Sequence, residues 1–411
     1  MQQITISEYG YIGCDNHSTS SDKFVGKRDL EAHEFQELYD FWLSDESTQK
    51  LLTFVNKKCL KATSYVGVIQ TQNLSLEILP KTYNGSEIES IRTTFIEMLK
   101  VTLGMNEIVL NRANLSTTKS KNIYELFITL FVEAMDNLIH KGLKSEYVSQ
   151  EGNQQFLKGK LKFNEHIRKN SIHKERFYVK YDEYLQDRVE NRLLKSTLKL
   201  LSNKSRDTQN KKALRQQLFI FDELGFSLNY KSDFSKVNTH RGMEHYSFPL
   251  RFAKVFLLNE SFTSLRGKED VFALLFPMQT LFEKYMEFVL ENSKEKLGIK
   301  RVLVNGGKNE YLLEDKRARL QPDYLLKMKN GSDIICDAKW KLDTIGSNDI
   351  YQIFAYHHFY DARDVAYVFI PLVDEMERSV LKYTNSDKTI AIIPIKLSKV
   401  IEDGHRILDL F

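Results

Sequence analysis

The chain has 411 residues, of which 42% are hydrophobic and 12% are aromatic. A chain of this length and composition can bury two or three cores, which excludes a disordered or fibrous protein and predicts a soluble multidomain one. The formal net charge of +4 is a mild basic excess, compatible with nucleic acid binding but not diagnostic of it.

The apolar stretches are short and the cysteines are few. Ala366–Val373 is far shorter than the roughly 20 residues that span a bilayer, and Met1–Ile4 lacks the basic and apolar regions of a signal peptide. These features predict a cytoplasmic protein without membrane segments. Cys14, Cys59 and Cys336 are widely separated, so they predict neither a disulfide framework nor a zinc ribbon. A bound metal ion would therefore be held mainly by oxygen.

Residues 1–85 predict a small β-rich domain. The segment Leu74–Leu79 alternates apolar and polar residues, which is typical of a half-buried strand. It follows the strand-like run Ala62–Gln70, and Gln72-Asn73 predicts the turn between the two. A helix near Leu30–Phe54 is expected to interrupt the strands.

Residues 86–260 predict a mainly helical middle region. Apolar residues recur three and four positions apart in Ile88–Leu103, Ile123–Lys141 and Tyr184–Leu201, as they do on the buried face of an amphipathic helix. No internal repeat is evident and no Pro- or Gly-rich linker marks the boundaries of this region.

Basic residues cluster in one part of the middle region. Two interpretations are open, a surface that contacts phosphates and an ordinary solvated surface. The cluster consists of Lys158, Lys160, Lys162, Arg168, Lys169, Lys174 and Arg176, interleaved with Phe156, Phe163 and Phe177.

Residues 261–411 predict a mixed α/β domain. Phe276-Pro277 is expected to open a helix that runs through Leu290, because proline is well tolerated in the first turn. The predicted order is then αβββαβ with one further strand. The elements after the first helix are strands at Val302–Val304, Leu320–Met328 and Asp333–Lys341, a helix at Asn348–Phe359, and strands at Val365–Ile370 and Thr389–Ile395.

One segment of this region predicts a β-hairpin. From Gln321 to Trp340 the apolar side chains fall on even positions, so one face is expected to be core. Asp323, Asp337 and Lys339 fall on the opposite face. A two-residue loop would split the apolar set between the two faces. A three-residue loop, Lys329–Gly331, with its glycine in the left-handed conformation, instead pairs Asp323 with Asp337.

The paired aspartates indicate a cation site. Carboxylates about 5 Å apart on neighbouring strands repel each other unless a cation lies between them. A hard divalent ion, Mg²⁺ with Mn²⁺ as an alternative, would relieve that repulsion. Lys339 lies on the same face as Asp337, where its ammonium can orient a water or stabilise charge on a phosphate. The trio with Asp323 therefore predicts metal-assisted phosphodiester hydrolysis.

An acid-x-Lys triplet is common by itself, and Glu314-Asp315-Lys316 is a second one in this chain. The prediction therefore depends on the conjunction of Pro322-Asp323, a hairpin of suitable register, and Asp337-Ala338-Lys339 on the strand.

Gln321-Pro322-Asp323 followed by Asp337-Ala338-Lys339 resembles the PD-(D/E)xK nuclease motif. The wider chain is similar to the McrC family, the nuclease subunits of McrBC-type modification-dependent restriction systems. This similarity spans most of the chain, although only the nuclease motif is chemically specific. The further residues that carry it are Tyr65–Ile69, Leu76–Lys81, Asn191–Lys195 and Asp337–Lys341.

The resemblance implies a fold class and further site residues. It implies an α+β multidomain protein whose C-terminal domain is PD-(D/E)xK restriction-endonuclease-like, with an acid from the preceding helix in the metal site. Glu283 matches that acid, and the wet face of an amphipathic helix is its alternative. Gln352 and Tyr356 match a Gln-x-x-x-Tyr pattern of some branches. They would contact the DNA backbone, brace Lys339 or only pack. Many relatives have Arg where Gln321 stands, which leaves the phosphate contacts unassigned.

The chain is not expected to bind a nucleotide itself. Gly306-Gly307-Lys308 and Gly26-Lys27-Arg28 both lack the upstream glycine and following hydroxyl of a phosphate-binding loop. The resemblance implies a separate partner, a GTP-hydrolysing AAA+ motor of the McrB type. That motor would recognise methylated cytosine in double-stranded DNA, and residues 1–85 of this chain would dock on it.

The leading hypothesis is a Mg²⁺-dependent DNA endonuclease subunit that cleaves methylcytosine-containing foreign DNA and stimulates its partner GTPase. A stand-alone repair or transposition nuclease with the same catalytic domain is the first alternative. A non-catalytic adaptor of an AAA+ motor is the second, and the intact trio of Asp323, Asp337 and Lys339 argues against it.

Overall fold

A computed structural model describes the chain in ranges. These are residues 2–14, 30–44, 46–81, 88–102, 123–173, 175–238, 242–258, 260–261, 263–264, 271–307, 310–341, 345–360, 362, 364–372, 377–384 and 386–407. The fold is mixed α+β with several sheets. Contacts between Cα atoms divide it into two compact units, Met1–Ile123 with Ser261–Phe411 and Tyr124–Glu260.

Helices and strands are numbered in chain order over the described residues. The helices are α1 (Ala32–Leu43), α2 (Glu46–Gln49), α3 (Ile88–Thr102), α4 (Ile123–Lys141), α5 (Phe163–Asn170), α6 (Val189–Lys204), α7 (Thr208–Ile220), α8 (Tyr230–Lys236), α9 (Glu244–Leu258), α10 (Met278–Leu297), α11 (Ser347–Phe359) and α12 (Leu397–Glu402), with a 3₁₀ turn at Asn305–Gly307. The strands are β1 (Gln2–Ser7), β2 (Tyr11–Gly13), β3 (Leu52–Asn56), β4 (Cys59–Ala62), β5 (Tyr65–Gln70), β6 (Leu74–Leu79), β7 (Glu146–Gln154), β8 (Lys160–Leu161), β9 (Phe177–Leu185), β10 (Glu260–Ser261), β11 (Thr263–Ser264), β12 (Phe272–Pro277), β13 (Ile299–Val304), β14 (Glu310–Tyr311), β15 (Arg319–Leu320), β16 (Tyr324–Met328), β17 (Asp333–Ala338), β18 (Val365–Pro371), β19 (Ser379–Lys382) and β20 (Thr389–Ile395).

The first unit contains a four-stranded sheet with the order β1-β6-β5-β12. β12 comes from the third predicted region, yet it completes a sheet whose other strands come from the first. Gly67 permits the close pairing of β5 with β12, because its φ is 139° and a Cβ there would lie 2.0 Å from the Leu274 carbonyl oxygen. The predicted regions 1–85 and 261–411 thus share one compact unit, and α3 lies in it as well.

The strand predicted at Leu74–Leu79 is confirmed as β6, but the prediction that it is half-buried was wrong, because all six of its residues are buried. β6 lies between β1 and β5, and its buried acid Glu77 has several hydrogen-bond partners. The Glu77 carboxylate accepts hydrogen bonds from Thr5 Oγ1 at 2.9 Å, Arg92 Nε at 3.0 Å and the Ile123 N–H at 3.1 Å. The alternation therefore reflects a satisfied polar group in the core rather than a wet face. The predicted turn after β5 is confirmed by the Gln70–Ser75 pairing.

The helix expected near Leu30–Phe54 is shorter than predicted. α1 ends at Leu43, and Ser44 Oγ donates to the Phe41 carbonyl at 2.6 Å. The chain then turns back, so that Phe54 lies in β3, which belongs to the sheet β2-β4-β3. Trp42 stacks on Phe54 with ring centroids 5.4 Å apart, so the apolar residues of the run join a helix to a strand instead of extending the helix.

The second unit has a helical core, in which Phe131 packs edge-on against Phe256 with ring centroids 6.2 Å apart. This unit also contains the sheet β7-β9-β8, whose strands were not predicted. The helix expected from Tyr184 begins at Val189, and Tyr184 belongs to β9. β7 and β9 pair along their whole length but carry few aliphatic residues, so no alternation of period two reveals them.

The basic cluster of the middle region lies on and around this sheet. Lys158 Nζ lies 4.2 Å from the Tyr181 ring centroid and 3.3 Å from Glu183 Oε1. Lys162 Nζ lies 3.8 Å from Glu151 Oε2. Nearby acids thus offset part of the positive charge that a phosphate would meet. Lys174 is outside the described residues.

The first unit also contains a six-stranded sheet with the order β13-β16-β17-β18-β20-β19. α10 packs on one face, where Phe282 contacts the Trp340 ring edge-on at a centroid distance of 5.3 Å. α11 packs on the other face, where Ile353 and Tyr356 join a core cluster with Leu325. The two helices and the strands of this sheet come in the chain order α10, β13, β16, β17, α11, β18, β19 and β20. β14 and β15 form a separate two-stranded sheet between β13 and β16, and β19 is an edge strand.

The helix expected to open at Phe276-Pro277 begins two residues later. Phe276 and Pro277 pair with Val66 and Tyr65 in the four-stranded sheet, which extends β12 through Pro277. Pro277 then serves as the N-cap residue of α10. None of the helices within the described ranges is long and apolar enough to cross a membrane.

Candidate functional site

The β16–β17 hairpin positions the predicted site residues. Its pairing joins Tyr324 to Cys336 and Lys327 to Asp333, a register that places Asp323 opposite Asp337, as predicted. The Met328 N–H donates to the Ser332 carbonyl at 2.9 Å, so the loop has three residues. Its last residue, Gly331, has φ 85°, the left-handed conformation that glycine adopts without strain.

The hairpin has two buried faces rather than the single one predicted. Leu325 and Ile335 occupy odd positions, yet they are 4% and 0% exposed. α11 covers this face, so the acids do not lie on an open surface. Asp323 instead lies just before the first residue of β16, and Lys339 lies just after the last residue of β17. The candidate site is therefore at this end of the two strands.

A tight turn holds the backbone of Asp323. The Asn305 N–H donates to the Asp323 carbonyl at 3.0 Å. Gly306 packs so closely that a Cβ there would lie 3.1 Å from Pro322 Cδ and 2.6 Å from the Tyr360 hydroxyl. The Gly306-Gly307 pair thus supports the Pro322-Asp323 step, and the adjacent Lys308 is outside the described residues.

The two aspartates share a protected environment. Asp337 is 1% exposed and Asp323 is half-buried. Asp323 Oδ2 accepts a hydrogen bond from the Ala338 N–H at 2.8 Å. Burial, the Asp337 carboxylate and, more weakly, Glu283 raise the pKa of Asp323 well above its ordinary value, although the Ala338 N–H opposes them. Such a pair of carboxyl groups favours the approach of a positive charge.

Lys339 supplies one such charge. Its Nζ lies 2.7 Å from Asp337 Oδ2 and donates to Gln352 Oε1 at 3.0 Å. Burial opposes the charged form of Lys339, but the carboxylates of Asp337 and Asp323 outweigh burial and raise its pKa. The ammonium is therefore charged at neutral pH, and its contacts with Asp337 and Gln352 fix its orientation.

The structure brings Gln352 and Tyr356 to the same place. Gln352 Nε2 donates to the Tyr356 hydroxyl at 2.8 Å while its Oε1 accepts from Lys339. Tyr356 is 4% exposed and belongs to the core, whereas Gln352 is exposed. The two residues form a chain of hydrogen bonds that ends on the Lys339 ammonium.

Glu283 on α10 is half-buried rather than on a wet face. Burial raises its pKa, and the charge of Asp337 raises it further, while a hydrogen bond from Gln279 lowers it. The charge of Glu283 in turn contributes to the raised pKa of Asp323. The acid from the preceding helix thus lies within electrostatic range of the aspartate pair.

Gln279 is a site residue that sequence reasoning missed. Its Nε2 donates to Glu283 Oε1 at 2.7 Å and to the Ala338 carbonyl at 2.6 Å, and its Oε1 accepts from the Trp340 N–H at 2.7 Å. Its spacing of four residues from Glu283 on a predicted helix was the only sequence signal. Nothing local indicated that it contacts the end of β17.

Asp323 and Asp337 can hold a hard cation, with Glu283 as a further oxygen donor nearby. Within the described ranges, no group of three or more His, Cys, Asp or Glu side chains is arranged to hold a metal ion. Two carboxylates completed by water are nevertheless a donor set that Mg²⁺ accepts. The raised pKa of Asp323 is the sign that this all-oxygen pair lacks compensating charge.

The comparison with protein families and the comparison with solved structures point to the same kind of protein. Residues 60–370 match the family described as McrBC 5-methylcytosine restriction system component. The fold is similar to a chain in the refined half-complex from a tetradecameric assembly of Thermococcus gammatolerans McrB AAA+ hexamers with bound McrC. That similarity has a TM-score of 0.71 at 20% identity and covers 98% of this chain and 99% of that one.

A second solved structure, the cryo-EM structure of the Thermococcus gammatolerans McrBC complex, contains a chain with a TM-score of 0.51 at 24% identity. The match covers 73% of this chain and 89% of that chain. At such identities the likeness concerns the fold. Comparison with curated proteins gave no match.

Proposed function

Because the chain belongs to the family of McrBC 5-methylcytosine restriction system components, we propose that it is the endonuclease subunit of such a system. Its substrate is methylcytosine-containing double-stranded DNA, its reaction is Mg²⁺-dependent phosphodiester hydrolysis, and it acts in the cytoplasm. One observation carries the proposal: the hairpin register sets Asp323 opposite Asp337, and the Lys339 ammonium lies 2.7 Å from Asp337.

The region from α10 to β20 is, in this proposal, the PD-(D/E)xK domain. The carboxylates of Asp323 and Asp337 would hold Mg²⁺, or Mn²⁺ in its place, with Glu283 as the third acid. The chemistry that such an ion would supply is polarisation of the phosphate and a lowered pKa of a water molecule. Burial of Asp337 keeps bulk water from competing with this arrangement.

The proposed role of Lys339 is to orient the attacking water and to stabilise negative charge on the phosphate. Its ammonium, charged and directed by Asp337 and Gln352, can donate a hydrogen bond to the attacking water or to a phosphate oxygen. Donors placed in advance where negative charge develops lower the barrier without reorganising during the reaction. Gln352, fixed by the Tyr356 hydroxyl, braces this ammonium rather than binding DNA itself.

The proposed partner is a GTP-hydrolysing AAA+ motor of the McrB type. The Thermococcus gammatolerans half-complex contains McrB AAA+ hexamers with bound McrC, and this chain is similar in fold to a chain of that assembly. In the proposal the motor binds the nucleotide and recognises the methylated base, and residues 1–85 of this chain dock on it. This chain stimulates the GTPase and cuts the delivered DNA.

The proposal differs measurably from its two alternatives. Purified chain, Mg²⁺ and methylated plasmid are mixed with and without an McrB-type motor and GTP, and double-strand breaks are scored. Cleavage in the complete mixture alone is the expected result. Cleavage by the chain alone would indicate a stand-alone repair or transposition nuclease. Faster GTP hydrolysis without any cleavage would indicate a non-catalytic adaptor.

Paired substitutions assign the cleavage to the site. Asp337→Ala removes one acid of the proposed site, and Asp315→Ala is its matched control because Asp315 belongs to the exposed triplet. Preserved cleavage by Asp337→Ala would contradict the site assignment.

A further inference from the structure

We infer that Gln279 is a positioning residue of the catalytic site, where its side-chain amide holds both Glu283 and the backbone around Lys339. This inference rests on the proposed function and deepens it, because it names a residue through which the site acids and the ammonium are aligned. Gln279 hydrogen-bonds the Glu283 carboxylate and the backbone of Ala338 and Trp340, so it acts through its neighbours.

The amide of Gln279 is oriented by its partners. Its Oε1 accepts from the Trp340 N–H at 2.7 Å, a group that can only donate. Its Nε2 donates to the Ala338 carbonyl at 2.6 Å and to Glu283 Oε1 at 2.7 Å. The carbonyl can only accept, and so can the carboxylate of Glu283 when it is ionised. The reverse orientation of the amide would break all three hydrogen bonds.

Gln279 takes the place of a missing strand partner. The Ala338 N–H donates to Asp323 Oδ2 on the edge of β17 that faces β16. β16 begins at Tyr324, so the next backbone groups along this edge, the Ala338 carbonyl and the Trp340 N–H, lie beyond it. Gln279 satisfies both of these groups with one side chain.

The backbone of Lys339 is thereby held on both edges. On the opposite edge the Lys339 N–H donates to the Phe369 carbonyl of β18 at 2.9 Å. Gln279 holds the residues on either side of Lys339, so the direction in which its side chain leaves the backbone is fixed. The same amide fixes the carboxylate of Glu283, which links an acid of the helix to the ammonium of the strand.

Trp340 anchors this arrangement to the first sheet. Its indole Nε1 donates to Glu8 Oε1 at 2.7 Å, and Glu8 also accepts from the Lys81 N–H at 2.9 Å. Glu8 is fully buried directly after β1. The residue that follows Lys339 is therefore held by Gln279 at its backbone and by Glu8 at its ring.

Gln279→Met tests the inference, since methionine is of similar size but offers neither the strong donor nor the acceptor. Partners that orient metal ligands typically contribute about 10- to 100-fold in metal affinity or activity. We expect Gln279→Met to lower kcat in the complete cleavage mixture and the affinity for Mn²⁺ of the full chain without DNA, each by about that factor. The KM for DNA should stay close to that of the wild type, while the thermal unfolding midpoint should fall, because the Ala338 carbonyl and the Trp340 N–H lose their partner.

Two further variants make the test specific. Gln279→Glu keeps an acceptor for the Trp340 N–H but sets a carboxylate against Glu283 and the Ala338 carbonyl, so it should lose more activity than Gln279→Met. Gln216→Met is the matched control, because Gln216 is exposed on α7, outside both residues 1–85 and the proposed nuclease domain. Gln216→Met should leave kcat and Mn²⁺ affinity unchanged.

The outcomes separate this inference from the proposed function. A wild-type complex that cuts, together with a Gln279→Met complex of unchanged kcat and Mn²⁺ affinity, would overturn the inference alone. A wild-type complex that does not cut would overturn the proposed function and the inference with it. If Gln279→Met fails to fold, the isosteric Gln279→Glu decides, and unchanged kcat and Mn²⁺ affinity in that variant would count against positioning.

Discussion

The chain contains two acid-x-Lys triplets of similar composition, and their surroundings give them different chemistry. Glu314-Asp315-Lys316 lies in an exposed loop, where Arg317 Nε donates to Asp315 Oδ2 at 2.6 Å and the pKa of Asp315 is lowered. Asp337-Ala338-Lys339 ends a buried strand opposite Asp323, whose pKa is raised by burial and by the neighbouring acid. In the proposed function, burial without enough positive charge is what makes this triplet, together with Asp323, a cation site.

The comparison is tested most strongly by removing the acid from each triplet. We expect Asp337→Ala to lower the cleavage rate more than about 10³-fold, because it removes a proposed metal ligand and a partner of Lys339. Folding should survive, because the change also removes a like-charge repulsion with Asp323. Cleavage of methylated plasmid by the complete mixture gives the rate, and circular dichroism checks the fold. Asp315→Ala should cut like the wild type.

The second test removes the lysine. Lys339→Met should lower kcat on the order of 10²- to 10³-fold, since the ammonium stabilises developing charge. Mn²⁺ affinity should not fall, because the substitution removes a cation that competes for Asp337. Calorimetric titration with Mn²⁺ and single-turnover cleavage separate the two effects. A variant that loses metal binding instead would show that Lys339 holds the acids together, while Lys316→Met, from the exposed triplet, should match the wild type in both measurements.

A third test concerns burial alone, at an acid outside both triplets. Burial raises the pKa of Glu8 to about 7 from 4.5, against hydrogen bonds from Trp340 and Lys81. Between these pH values the folded chain retains a proton that the unfolded chain releases, so the free energy of unfolding falls as the pH rises. For Glu8 this contribution amounts to about 3 kcal/mol.

Glu8→Gln removes this titration while keeping an acceptor for the Trp340 indole. Denaturant unfolding at pH 4.5 and pH 7 should show the variant gaining about 3 kcal/mol on the wild type as the pH rises. An equal pH dependence in both proteins would show that Glu8 stays ionised in the fold. The exposed Glu314→Gln is the control, and its difference from the wild type should not change with pH.

The smallest expected effect concerns the brace of the Lys339 ammonium. Gln352→Ala should lower kcat about 10-fold, the cost of losing one hydrogen bond to a charged group, and leave the KM for DNA unchanged. Steady-state cleavage of methylated DNA measures both. A raised KM with normal kcat would instead assign Gln352 to DNA binding, the alternative that the resemblance left open.

Local pattern was enough for the hairpin and its loop. Even-numbered apolar positions and Gly331 predicted the pairing of Asp323 with Asp337, because a slip by one residue moves every side chain to the other face. The same pattern failed for β6 and for the odd face of the hairpin. Period two identifies an apolar face, but it cannot tell whether the opposite face meets water or a helix such as α11.

Strands without an apolar pattern were not predicted. β7 and β9 pair backbone to backbone through residues such as Tyr147 and Tyr184, which are 75% and 62% exposed. Burial selects no aliphatic residues there, so the chain carries no periodic sign of the sheet. The strands consist largely of charged, polar and aromatic residues instead, and in the sequence the basic cluster of this region indicated only a basic surface.

The sequence by itself determined which chemical groups are available. Strand geometry within the segment Gln321–Trp340 places Asp323, Asp337 and Lys339 together. Only the tertiary structure decided how those groups are held. Gln279 reaches the end of β17 because α10 packs on the sheet, and Glu8 reaches the Trp340 ring across 332 positions of chain. Hydrogen bonds between residues so far apart depend on how elements pack, and periodicity along the chain carries no information about that.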